Sequence, residues 1–182
     1  MRQWFVLCGW LGIWACLATA RPAEAQEFVE GRHSVRAGLG LLSYFSGGAA
    51  GTSGAWDFRY TYTPWSHFGV EAAYTGAVGD AIRGTMVATI LSGNARVNIV
   101  PRRITPFVAV GIGYGAFSNT GIGRGDNSTL VIPLSGGADF RLTPHISASA
   151  RFTYHLTLGD AVGPTSAQAD NWALIGGIGS RF

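Results

Sequence analysis

His155-Leu156-Thr157 and Asp170 are the residues best suited to acyl-transfer chemistry. A histidine can take the proton of a hydroxyl nucleophile while a carboxylate orients the ring. His145-Ile146-Ser147 repeats the base–hydroxyl spacing with serine as the hydroxyl. A second chemistry is ionic. Arg36, Asp57, Arg59, Glu71, Arg96, Asp139, Arg141, Arg151 and Arg181 fall on polar positions of alternating segments. Around an open pore they would make an anion-selective or gated channel. Packed together they would neutralise one another, because buried charges must be matched. Other patterns carry less. Arg124-Gly125-Asp126 spells an integrin-binding tripeptide, but Gly and Asp are ordinary loop formers. Gly111-Ile112-Gly113-Tyr114-Gly115 has neither the helix nor the lysine of a phosphate loop. Four scattered histidines give no metal site, and no cofactor is expected.

The elements that must position these residues follow an export signal. Arg2 is a positive start, Trp4 to Ala18 is nearly all apolar, and Ala23-Glu24-Ala25 is a small-x-small cleavage pattern. Residues 1–25 are therefore expected to be a signal peptide cleaved after Ala25, leaving 26–182 as one domain. Ile13-Trp14-Ala15-Cys16 leaves lipidation at Cys16 as the alternative. Both cysteines, Cys8 and Cys16, lie in this segment, so the domain has no thiol chemistry. Charged residues are only 13% of the chain, and all 13 basic residues are arginine. Soluble domains carry about 25% charge. No stretch after residue 25 is long and apolar enough for a membrane helix. An export signal, few charges and no spanning helix point to a membrane β-barrel. The arginines are spread rather than gathered on one face, which argues against nucleic-acid binding.

Period-two alternation marks the strands. Trp56, Phe58, Tyr60 and Tyr62 interleave with Asp57, Arg59, Thr61 and Thr63. Ile146 to His155 and Leu91 to Ile99 alternate as cleanly, and further segments run at about 33–44, 67–75, 106–115, 130–142 and 171–182. Eight strands suit a closed single-chain barrel. Short connections at 64–66, 100–105 and 143–145 carry proline, whereas 45–55, 76–84, 116–129 and 156–170 read as long polar loops. This arrangement predicts an all-β, eight-stranded antiparallel up-and-down transmembrane barrel with the short turns and both termini in the periplasm. A soluble lipocalin-like barrel would put the apolar parity inside. Against that, the polar parity is rich in Gly, Ala, Ser and Thr, and apolar-parity aromatics cluster at both strand ends. Trp56, Tyr74, Tyr114, Tyr154 and Trp172 sit toward the loops; Tyr62, Phe68, Phe140 and Phe182 sit toward the turns.

Gly93-Asn94-Ala95-Arg96-Val97, followed by Thr105-Pro106-Phe107-Val108-Ala109-Val110-Gly111-Ile112-Gly113-Tyr114, resembles the central hairpin of the small eight-stranded outer-membrane proteins, the OmpA transmembrane domain and OmpX among them. Gly177-Ile178-Gly179-Ser180-Arg181-Phe182 is similar to that family's C-terminal assembly signal, with Ser180 where a second hydrophobic residue is usual. The resemblance implies that Gly177 and Phe182 address the chain to the barrel-assembly machinery. It also implies a surround of outer-membrane lipid and lipopolysaccharide. Lipid A deacylases of similar barrel shape carry a His-x-Ser pair with an acidic residue near the extracellular end. Here Thr157 replaces the serine, and His145-Ile146-Ser147 falls at the opposite end.

The expected function is a structural or surface-interaction barrel that is not an enzyme, with loops free to meet an extracellular ligand. Its lumen is expected to be plugged by Arg59, Glu71, Arg96, Asp139 and Arg151, since eight strands leave a lumen that side chains can fill. A narrow porin-like channel and a lipid A-modifying hydrolase are the alternatives. A three-residue turn at Pro64-Trp65-Ser66 would set Thr63 against His67 and Arg59 directly opposite Glu71.

Overall fold

The computed structural model describes residues 32–44, 51–81, 84–119, 127–158 and 170–182. The expected signal peptide and its expected cleavage site lie outside them, as do Arg124-Gly125-Asp126 and most of the long connections. Eight strands form one closed barrel in which each pairs antiparallel with its sequence neighbours, and β1 pairs with β8 to close it. They are β1 His33–Tyr44, β2 Ser53–Trp65, β3 Phe68–Ala81, β4 Gly84–Asn98, β5 Ile104–Asn119, β6 Asn127–Arg141, β7 Ile146–Leu158 and β8 Asn171–Arg181.

Side-chain direction settles which parity faces out. Leu39, Leu91, Ile112 and Ile178 are 75%, 62%, 63% and 64% exposed, while Arg36, Asp57, Arg59, Glu71, Arg96, Asp139 and Arg151 of the opposite parity are buried. A belt of exposed aliphatic and aromatic side chains around the whole barrel is a surface for lipid. It is not the surface of a lipocalin.

Two expectations need correction. The 76–84 segment is not a long loop, because β3 and β4 continue as a ladder until Ala81 faces Gly84. Its glycines suggest a loop, yet Gly76 lies opposite Trp56, whose indole covers the space a side chain would fill. An aromatic laid over a cross-strand glycine restores the packing that glycine lacks. Strands also extend into the other long connections, with β2 starting at Ser53, β5 ending at Asn119 and β7 ending at Leu158. The register between β2 and β3 is the second correction. Pairing shifts between Tyr62 and Trp65, Trp65 faces Phe68, and the turn is Ser66-His67. Pro64 sits within this irregularity, where its missing N–H removes no regular ladder bond. Glu71 therefore faces Thr61 and Arg59 faces Ala73, so Arg59 and Glu71 are diagonal neighbours.

The lumen is layered along its axis. Toward the loop end, Leu42, Tyr44, Met86, Phe117 and Ile175 pack with Ala55, Ala77, Ala88 and Ala173 as an apolar core. The charged side chains occupy the half nearer the short turns.

Candidate functional site: the charged lumen

Six of the eight strands send a charge into one cluster. Arg36 comes from β1, Asp57 and Arg59 from β2, Glu71 from β3, Arg96 from β4, Asp139 from β6 and Arg151 from β7. Each is 7% exposed or less. Glu71 is the hub. Both of its oxygens accept from Arg151 Nη2 at 2.8 Å. Oε1 also accepts from Arg96 Nη1 at 3.1 Å and from the Thr61 hydroxyl at 3.3 Å. Arg59 places Nη1 3.6 Å from Oε2 and donates through its other terminal nitrogen, Nη2, to Asp57. Arg96 Nη2 reaches Asp139 Oδ2 at 2.6 Å, and that same oxygen accepts from Arg36 Nη2 at 2.6 Å. One chain of ion pairs thus runs Asp57–Arg59–Glu71–Arg96–Asp139–Arg36, with Arg151 branching from Glu71.

Three neighbours shape this cluster. The Phe107 ring, from β5, lies 3.8 Å from the Arg96 guanidinium carbon and 4.5 Å from that of Arg151. It gives two cations an aromatic face in a water-poor site. Asn98 accepts from Arg96 Nε at 2.8 Å and donates to the Ser66 carbonyl at 3.0 Å, tying the network to the β2–β3 turn. Gly137 makes room, since a Cβ there would lie 2.9 Å from Phe107 Cζ. Toward the turns the network borders a small cavity of about 30 Å³, lined in part by Thr63, Thr105, Arg141 and Arg181.

Residues 13–182 match the model of the outer membrane protein β-barrel domain family. The chain belongs to that family. It is therefore a protein of the bacterial outer membrane. A search of curated protein sequences found no match. Among solved structures this barrel is similar to the neisserial surface protein A, with TM-score 0.63, 12% identity, and 82% of this chain and 96% of that one covered. It is also similar to OprG from Pseudomonas aeruginosa, with TM-score 0.64, 13% identity, and 84% and 96% covered. For the attachment invasion locus protein Ail of Yersinia pestis the values are 0.56, 15%, 84% and 99%. At these identities the likeness is one of fold.

The acyl-transfer residues of this outer-membrane barrel do come close together, but not as a base and its nucleophile. Thr157 donates its hydroxyl to Asp170 Oδ1 at 3.0 Å, and its backbone N–H goes to the same oxygen at 2.9 Å. Tyr154 donates to Asp170 Oδ2 at 3.0 Å. His155, buried, pairs through Nδ1 with Asn171 Oδ1 at 2.8 Å. The carboxylate therefore fastens the end of β7 to the start of β8 rather than orienting a histidine. Among the described residues no three His, Asp or Glu side chains converge as a metal site would need.

At the other end Phe182 completes the seam. Its N–H donates to the His33 carbonyl at 2.9 Å, its carbonyl accepts from the His33 N–H at 3.0 Å, and its ring stacks on His33. Gly177 lies in the same seam opposite Gly38, where a Cβ would come 2.8 Å from the Ala37 carbonyl oxygen. Sequence reasoning missed Phe107, Asn98 and the inward apolar layer. The signal available for Phe107 was its shared parity with Thr105 on β5.

Proposed function

We propose that the protein is a closed, non-conducting barrel of the outer membrane, with a structural or surface-interaction role and no catalytic one. Its working surface is the loop end. The observation that carries this reading is the filled lumen, where a buried ion-pair chain spans six strands beneath an apolar layer. A path for ions would have to break both. The short turns face the periplasm and the longer connections the exterior, as in other barrels of this class. Lipid and lipopolysaccharide surround the wall, and Gly177 and Phe182 belong to the signal by which the assembly machinery engages the chain.

The loop end contacts a partner of neutral or cationic character. Ail has been seen with the heparin analogue sucrose octasulfate. The outer connections of the present chain carry Asp80, Asp126, Asp160 and Asp170 against Arg83 and Arg124, a poor match for a polyanion. The test has two arms. Liposomes reconstituted with the protein should swell in small sugars no faster than empty ones. Replacing 45–50, 120–126 and 159–169 with short Gly-Ser turns should leave a heat-modifiable barrel while abolishing adhesion of expressing cells to host surfaces. Rapid swelling, or adhesion that survives loop replacement, would overturn the reading.

A further inference from the structure

The lipid-facing wall is not uniform. Across β4–β7 a groove of about 470 Å³ runs between Val97, Val108 and Val110 on one side and Leu134, Phe152 and Tyr154 on the other. Register explains the hollow. Val108 faces Gly136, and Gly136 faces Phe152, so a residue without a side chain stands between two large ones. The row below continues the depression with Ala138 opposite Ala150, and the next sets Ile104 beside Phe140. Below these rows the β4–β5 turn carries Arg102 and Arg103, both exposed. The turn is held rigidly. Arg102 N–H donates to the Val100 carbonyl at 3.0 Å, Thr105 donates its hydroxyl to the Arg102 carbonyl at 2.7 Å, and Arg141 N–H donates to the Arg103 carbonyl at 2.9 Å. Exposed Val100, Ile104 and Leu142 flank the two guanidiniums, and no Asp or Glu stands in the three short turns.

We propose that this wall binds one anionic phospholipid of the periplasmic leaflet, its phosphate on Arg102 and Arg103 and an acyl chain along the groove. The spacing fits. Arg103 and Val108 are separated by roughly 16 Å of strand at about 3.3 Å per residue. With a strand tilt of about 40° the groove lies roughly 12 Å further into the membrane than the headgroup, within the half-thickness of about 15 Å of one hydrocarbon leaflet. Its volume falls in the range of ordinary ligand clefts. Charge selects the headgroup, because two arginines with no carboxylate in their turn or, among the described residues, in the other short turns favour a lipid of net negative charge over a zwitterion. Each such arginine strengthens binding to an anionic surface by roughly fivefold. The choice of leaflet rests on the orientation proposed above.

Native mass spectrometry of the full chain in micelles doped with phosphatidylglycerol or phosphatidylcholine tests the site. The wild type should retain one phosphatidylglycerol at ten-fold or more the level of phosphatidylcholine, at low ionic strength. Arg102→Gln with Arg103→Gln should make the two lipids equal. Gly136→Val should reduce both adducts, and it should fold, because a Cβ at this glycine meets nothing nearer than the Phe107 carbonyl oxygen at 3.9 Å. Gly136→Ala, a smaller intrusion, should reduce them less. Equal retention of both lipids by the wild type, or undiminished adducts in a heat-modifiable Gly136→Val barrel, would overturn the proposal. Preferential retention of lipid A over phosphatidylglycerol would overturn it too. An impermeant maleimide on Arg102→Cys separates site from orientation. Labelling only after permeabilisation supports the periplasmic leaflet, and labelling on intact cells refutes that leaflet whatever the micelle result.

Discussion

Glu71→Gln is the most informative single change, because it removes one charge from the hub of the network and keeps its shape. Glu71 receives Arg151, Arg96 and Arg59. After the substitution Arg59 still has Asp57 and Arg96 still has Asp139. Arg151 is left without a carboxylate, since its ion pair is with Glu71. Breaking a buried pair by removing one partner costs about 3–5 kcal/mol, which lowers the folding equilibrium constant by roughly 10²–10³-fold or more at about 1.4 kcal/mol per decade. With a denaturant slope of about 2 kcal/mol per molar urea, the unfolding midpoint should fall by about 2 M. The assay is urea unfolding from lipid vesicles, followed by tryptophan fluorescence and heat-modifiable gel mobility. Arg151→Met should be costly alone but should recover much of the loss when combined with Glu71→Gln, because replacing both members of a buried pair is often close to neutral. The corresponding cycle between Arg59 and Glu71 should show weaker coupling, since that pair is 3.6 Å apart and Arg59 keeps Asp57. A loss below about 1 kcal/mol for Glu71→Gln, or additive losses for Glu71 and Arg151, would show that the network does not hold the barrel together.

Deleting Phe182 removes two backbone bonds and a ring from the β1–β8 seam. Pulse-chase labelling should show slower insertion and more protease-sensitive periplasmic protein, and unchanged assembly would dismiss the recognition role. Asp170→Ala leaves Thr157 and Tyr154 without their carboxylate. It should cost about 1–3 kcal/mol locally, read as faster hydrogen exchange at the Thr157 amide, with unchanged exchange refuting the latch. Epitope tags at 45–50, 120–126 and 159–169 should be accessible to antibody on intact cells, and tags at 66–67 or 143–145 should not. The reverse pattern would invert the topology.

Much of this architecture was legible because a lipid-exposed strand enforces alternation. Trp56, Phe58 and Tyr60 can face outward only if Asp57, Arg59 and Thr61 face inward, so parity follows from the residues themselves. Register was less legible. Pro64 marked the vicinity of a turn, but the turn at Ser66-His67 and the one-residue pairing shift between Tyr62 and Trp65 together put Thr61, not Arg59, opposite Glu71. The Gly76–Gly79 stretch read as a loop because sequence composition cannot show that Trp56 covers Gly76. The apolar layer stayed hidden for a related reason. In Met86-Val87-Ala88-Thr89-Ile90 both parities are largely apolar, so inward Met86 and Ile90 look no different from lipid-facing residues. His155 and Thr157 lie on one face, as their spacing requires, yet their partners are fixed by Asp170 and Asn171 across the β7–β8 pairing. Residue spacing within one strand carries no information about that.

Conductance tests the central claim, that the lumen is closed, more directly than stability does. Single-channel recording in a planar bilayer should show no resolved, steady current through the wild-type barrel at moderate voltage. Glu71→Gln, with the network broken but the apolar layer of Leu42, Met86 and Phe117 intact, should give at most brief openings. Steady ohmic steps from the wild-type protein would contradict the plug and return the barrel to the channels.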